Sequence, residues 1–187
     1  MNKTPIIIAL IGPAGVGKTT VGKLLAQHLD YTFVDLDACI EERLGADIDW
    51  IFQLEGEAGF RKHEAIALRE LLRDIQTNTQ KNTVLSTGGG SIVTQANRKL
   101  LEEKTTIIYL AASLTTLLER TMQTKGRPLL AGNDRKARLQ KILEERRDIY
   151  QALADFSIAV DQLSTHDTVR IIEDHIKQVL RVCLISR

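Results

Sequence analysis

Residues 12–20 read Gly-Pro-Ala-Gly-Val-Gly-Lys-Thr-Thr, and no other stretch of this 187-residue chain constrains its fold as much. They fit the spacing G-x-x-x-x-G-K-[ST], with Gly12, Gly17, Lys18 and Thr19 in the fixed positions. The flanks fit as well. The apolar run Ile6–Ile11 before the loop reads as a buried strand, and Val21, Leu24, Leu25 and Leu29 after it share one face of a helix. Strand, glycine-rich turn and helix in that order make an anion cradle. Glycines 12, 15 and 17 let backbone N–H groups face one concavity, and the helix adds the positive end of its dipole. Lys18 then neutralises the β- and γ-phosphates, and the Thr19 hydroxyl takes one position on Mg²⁺. Thr20 ends the nucleotide-binding stretch, where it packs or caps. A glycine-rich turn without a ligand is the simpler alternative, but it explains neither Lys18 nor Thr19. The expectation is a nucleoside triphosphate bound with magnesium.

The rest of the chain alternates. Strands are expected at 5–11, 32–35, 83–86, 106–110 and 156–160. Helices are expected at 18–29, 37–44, 47–54, 56–76, 94–102, 113–122, 134–151 and 168–182. Short apolar strands separated by helices predict a parallel sheet covered on both faces, hence an α/β fold. Ligands in such folds sit beyond the carboxyl ends of the strands. There the sequence places Asp35-Leu36-Asp37, Gly88-Gly89-Gly90 and, one helix after the fourth strand, Lys125-Gly126-Arg127-Pro128-Leu129-Leu130.

Bulk properties narrow the partners. Apolar residues at 43% and charged residues at 26% describe an ordinary globule, and the length suits one domain, 1–187. A net charge of +1 gives no basis for nucleic acid or an anionic membrane as partner. The longest apolar run is far short of a membrane span, and no signal-peptide pattern opens the chain. Cys39 and Cys183 are too few for a disulfide framework. The expectation is a reduced, cytoplasmic protein.

Several side chains are candidates for chemistry. Asp35 and Asp37 alternate, so in an extended segment one faces magnesium and the other a second substrate; alternatively, Asp37 is the N-cap of the helix that follows. Arg61 flanks the apolar stripe of the long helix, with Glu64 three residues on to hold it; alternatively, it is a solvated helix charge. Arg146 falls within the stripe Leu139, Ile142, Leu143, Ile149 and Tyr150, while Arg147 points away. An inward guanidinium needs an anionic partner, either a ligand carboxylate held bidentately or a structural one. Three glycines after a strand suit close backbone approach to a ligand, or a flexible turn. Arg127, between Gly126 and Gly132, is a candidate lid arginine that stabilises charge on a moving phosphate and excludes water. The four histidines show no zinc spacing, and no G-x-S-x-G elbow occurs.

These segments, taken in order, resemble the shikimate kinase family. The resemblance rests on Gly12–Thr20, on Phe33-Val34-Asp35-Leu36-Asp37 with Ile40-Glu41, and on Ile51-Phe52 through Glu55-Gly56-Glu57 to Phe60-Arg61-Lys62-His63-Glu64. It continues through Ser86-Thr87-Gly88-Gly89-Gly90 and Arg127-Pro128-Leu129-Leu130 to Arg146 with Tyr150. It implies a three-layer α/β/α P-loop kinase with a five-stranded parallel sheet in the order 2-3-1-4-5, a substrate segment at about 36–65 and a mobile lid at about 121–132. It implies transfer of the ATP γ-phosphate to the 3-hydroxyl of shikimate by a monomer. Lys18, Asp37 and Arg127 would be catalytic. Gly12, Gly15, Gly17, Lys18, Thr19, Thr20, Arg120 and Arg127 would bind nucleotide, with Arg120 against the adenine. Asp37, Arg61, Gly88, Gly89, Gly90 and Arg146 would bind shikimate, the two arginines clamping its carboxylate. Thr19, and Asp35 through water, would serve the metal. One departure is Asp148, where the family usually has proline. Rival readings are another small-metabolite kinase such as a gluconate kinase, and a non-catalytic, nucleotide-gated module.

Overall fold

The computed structural model describes residues 4–79, 81–121 and 134–185, with side chains to residue 178. The lid candidates Gly126, Arg127 and Gly132 and the side chain of Cys183 therefore lie outside the described residues.

Five strands form one parallel sheet: β1 Ile7–Ile11, β2 Thr32–Asp35, β3 Thr83–Ser86, β4 Thr106–Ala111 and β5 Phe156–Ala159. Their spatial order is β2-β3-β1-β4-β5. Around them run α1 Lys18–Leu29, α2 Leu36–Leu44, α3 Ile48–Asp74, α4 Gln95–Lys104, α5 Leu114–Thr121, α6 Arg135–Leu153 and α7 Thr165–Ile185. A π-helical turn, Ile75–Thr79, extends α3.

Strand β1 lies at the centre, paired with β3 through Ile7–Thr83 to Leu10–Ser86 and with β4 through Ile8–Thr106 to Ile11–Tyr109. Every residue of β1 is buried, because helices cover both of its faces. The two-residue period divides its side chains between two cores. Ile7, Ala9 and Ile11 pack with Leu36, Ile40, Leu68, Leu101 and Tyr150. Ile8 and Leu10 pack with Leu25, Leu117, Val169 and Ile172. The result is three layers, with α1 and α7 on the second face.

The two helices expected at 47–54 and 56–76 form one helical stretch, α3, broken at Gly56 (φ 67°, ψ −175°). A Cβ at Gly56 would meet nothing within 4 Å, so the positive φ and not crowding is what favours glycine there. Helix α7 starts at Thr165, before the expected residue 168, because the Ser164 hydroxyl accepts from Asp167 N–H at 3.1 Å and closes an extra turn.

Candidate active site

The loop between β1 and α1 shows why its glycines stand where they do. Gly17 is the N-cap of α1 in the left-handed region (φ 104°), a conformation costly for a side-chain-bearing residue. It offers the helix no side-chain cap, so the first-turn N–H groups stay available to an anion. Lys18 is buried and donates to the carbonyls of Gly12 (2.8 Å) and Pro13 (3.1 Å). Its ammonium is held over the loop it would serve.

Thr19 donates its hydroxyl to Asp35 Oδ2 at 2.8 Å, so the phosphate loop and the end of β2 meet. Asp35 is also the N-cap of α2, its Oδ1 accepting from the N–H of Asp37 at 3.1 Å and of Ala38 at 3.5 Å. The capping role weighed for Asp37 thus belongs to Asp35. Asp37 sits in the first helical turn, not in an extended segment, and its carboxylate is free for other work. Burial pushes the Asp37 carboxyl up to about 6; Lys18 opposes the rise, while Asp35, Glu64 and Glu41 add to it.

Thr19 and Asp35 present oxygen donors only, which suits a hard cation such as Mg²⁺. Among the described residues no cluster of three or more His, Cys, Asp or Glu could hold a metal ion.

A cavity of about 720 Å³ is lined by the loop and by Thr19, Thr20, Asp35, Asp37, Gly89, Arg120 and Val160. Arg120 donates to the carbonyls of Val16 (3.0 Å) and Val160 (3.4 Å), tying α5 to the loop and to the end of β5. Asp161 anchors the adjoining segment by accepting from Ser113 N–H at 2.8 Å and the Thr116 hydroxyl at 2.7 Å.

The glycine triplet is the junction of the site. A Cβ at Gly88 would lie 2.6 Å from Asp37 Oδ1 and 2.9 Å from Glu64 Oε1. At Gly89 a Cβ would meet the Ala14 amide nitrogen at 3.0 Å, and at Gly90 it would collide with the Arg61 guanidinium. Only glycine lets the chain pass between the phosphate loop and these charges.

Arg61 donates to Glu64 Oε2 at 3.0 Å and to Glu57 Oε1 at 2.8 Å. Glu64 is fully buried, and its other oxygen accepts from the Ser91 hydroxyl at 2.7 Å. Arg146 is buried while Arg147 is exposed, the register that the α6 stripe predicts. Arg146 Nη1 donates to the Gly89 carbonyl at 3.1 Å, and its Nη2 lies 3.9 Å from Glu57 Oε1. The Tyr150 hydroxyl donates to the same Gly89 carbonyl, and burial raises its pKa and keeps it protonated. Its ring stacks on Tyr109 with centroids 5.0 Å apart.

The structure therefore brings Lys18, Thr19, Asp35, Asp37, Arg61, Arg146 and the three glycines into one neighbourhood, with Gly12, Gly15, Gly17, Thr20 and Arg120 at the glycine-rich loop. Sequence reasoning gave no role to Ser91 or Glu57. For Glu57 a signal existed, since it stands four residues before Arg61 on a helix. For Ser91 there was none, because its partner Glu64 is 27 positions away.

A family model described as shikimate kinase matches residues 14–180. A shikimate kinase from Legionella pneumophila is 48% identical over 158 residues, covering 84% of this chain and 86% of that protein. One from Actinobacillus pleuropneumoniae is 42% identical over 173 residues, covering 92% and 94%. Among solved structures, the shikimate kinase from Acinetobacter baumannii in complex with shikimate superposes with a TM-score of 0.87 at 38% identity, covering 94% of each chain.

Proposed function

The chain belongs to the shikimate kinase family and is an ATP-dependent kinase, and we propose that it transfers the γ-phosphate of ATP to the 3-hydroxyl of shikimate through the site described above. One observation carries the assignment of that site. A carboxylate, Asp37, and two guanidiniums, Arg61 and Arg146, converge on one glycine triplet beside a phosphate loop. That set suits a small hydroxylated acid, whose carboxylate goes to the arginines and whose hydroxyls go to Asp37.

The loop amides and Lys18 hold the β- and γ-phosphates. Thr19 would hold Mg²⁺, with Asp35 acting through water, and the ion would supply charge neutralisation to the phosphates. Asp37, with its pKa near 6, is ionised at neutral pH and basic enough to take the hydroxyl proton as that oxygen attacks phosphorus and ADP leaves. Arg61 and Arg146 clamp the carboxylate, and the amides of Gly88, Gly89 and Gly90 border the substrate. Arg120 lies against the adenine, and Arg127 closes over the phosphates. We assign all of this to one domain, 1–187. We further propose that it acts as a monomer. No helix among the described residues is long and apolar enough to cross a membrane, and a cytoplasmic setting is consistent with this.

The test is ADP release from MgATP by the purified protein, with and without shikimate, using gluconate and nucleoside monophosphates as controls. Release that depends on shikimate alone is the expected result. Turnover on a control without a shikimate response would overturn the substrate, and ATP binding without any turnover would favour a regulatory role.

A further inference from the structure

Among the described residues, Glu57 is the one carboxylate that reaches both clamp arginines. Its Oε1 lies 2.8 Å from Arg61 Nη2 and 3.9 Å from Arg146 Nη2. The two guanidinium side chains are 13% and 11% exposed, whereas the Glu57 side chain is 45% exposed. We propose that Glu57 is a displaceable internal carboxylate that occupies the substrate-carboxylate seat of the empty enzyme and swings into solvent when shikimate binds, which makes it a specificity-determining residue. The proposal rests on the reading of Arg61 and Arg146 as the carboxylate clamp.

Glu57 and Glu64 differ in how firmly they are held. Glu64 is fully buried and accepts from both Ser91 and Arg61, so it is a fixed counter-charge. Glu57 accepts a hydrogen bond from Arg61 and, among the described residues, from nothing else. It also follows directly on Gly56, where the helix breaks, so it stands in the first turn after the break. A side-chain rotation there leaves the helical hydrogen bonds untouched.

The hold is also incomplete. Arg61 Nε is buried and has no hydrogen-bond partner. Nε and Nη2 form one edge of the guanidinium, built to grip both oxygens of a planar carboxylate. Glu57 fills only Nη2. A ligand carboxylate seated on that edge satisfies Nε as well, a bond that Glu57 leaves unmade.

Charge accounts for the arrangement. Two neighbouring, largely buried guanidiniums would be costly with Glu64 as their sole counter-charge, and Glu57 supplies a second one. Exchange of one carboxylate for another conserves the charge. A neutral polyol with the same hydroxyls cannot make that exchange, because displacing Glu57 would leave the arginines short of an anion. The latch therefore discriminates against ligands that lack a carboxylate.

The experiment is calorimetric titration of the full chain with shikimate, together with steady-state kinetics, for Glu57→Gln and Arg146→Ala. Glutamine keeps the shape of residue 57 and removes its charge. The expected result for Glu57→Gln is a Kd and KM for shikimate roughly three- to tenfold lower, with kcat within about twofold and ATP affinity unchanged. A residue that merely props Arg61 in place would move affinity the other way. An unchanged or raised shikimate Kd in Glu57→Gln, alongside weakened binding in Arg146→Ala, overturns the latch and leaves the clamp standing. Unchanged binding in Arg146→Ala overturns the clamp, and the latch falls with it.

Discussion

Replacing Asp37 by asparagine should make the protein more stable and nearly inactive, and the gain in stability should depend on pH. Burial moves this carboxyl from 3.8 to about 6. A raised carboxyl stabilises the folded state while protonated, below about pH 4, and that contribution is lost as pH rises through 6. At pH 8 the folded protein therefore carries a buried charge that the unfolded chain keeps in water. Each tenfold change in proton affinity is worth about 1.4 kcal/mol, so the penalty at pH 8 is at most about 3 kcal/mol. Asparagine has the same shape and no charge, and it removes that penalty. For a chain of this length the gain corresponds to a rise in Tm of roughly 6–12 °C at pH 8, about half of that at pH 5, and about a fifth of it at pH 4. Thermal unfolding of both proteins without nucleotide, followed by circular dichroism between pH 4 and 8, measures it. The same variant should bind ATP and lose most of its turnover. An equal Tm difference at pH 5 and pH 8, or a lower Tm for Asp37→Asn at pH 8, would refute the burial argument. Near-normal turnover would remove Asp37 from the catalytic set.

Lys18→Met should retain the fold and lose roughly 10²–10³-fold in kcat, as removal of one preorganised charge from a phosphoryl-transfer site does, read by coupled ADP assay. Ser91→Ala should leave one oxygen of the fully buried Glu64 without its donor and cost about 1–3 kcal/mol in urea unfolding. Gly88→Ala would place a methyl 2.6 Å from Asp37 Oδ1 and 2.9 Å from Glu64 Oε1, so shikimate turnover should collapse while ATP binding, measured by titration, changes little.

Much of the fold was legible locally. Helix α1, strand β2 and strand β3 have the bounds that their residue pattern predicts, because that signal is carried by neighbours in the chain. The boundary expected between residues 54 and 56 is present as well: Gly56 leaves the helical region (φ 67°, ψ −175°) and separates the two helical segments of α3. The capping role that was one of two alternatives for Asp37 falls to Asp35, two residues earlier. Asp35 and Asp37 are both good caps by type, and the choice depends on where the strand stops and the helix turns. That stop is set by the pairing of Asp35 with Ser86 across the sheet.

The sequence by itself determined a strand–loop–helix anion cradle at residues 7–20, an alternating α/β chain and an arginine at position 146 on an inward face. Those follow from periodicity and from the few residue types that tolerate such backbones. Tertiary structure alone decided which charges meet. The order β2-β3-β1-β4-β5 sets the ends of β1, β2 and β3 side by side, so Asp35 reaches Thr19, and Arg146 reaches Gly89 across 57 residues of chain. Glu57 is the clearest case. Its pairing with Arg61 is local and could be read from a helix, but its place beside Arg146 is not. Packing of α6 against the same core as α3 brings that second guanidinium within reach, and a contact of that separation leaves no mark in local spacing.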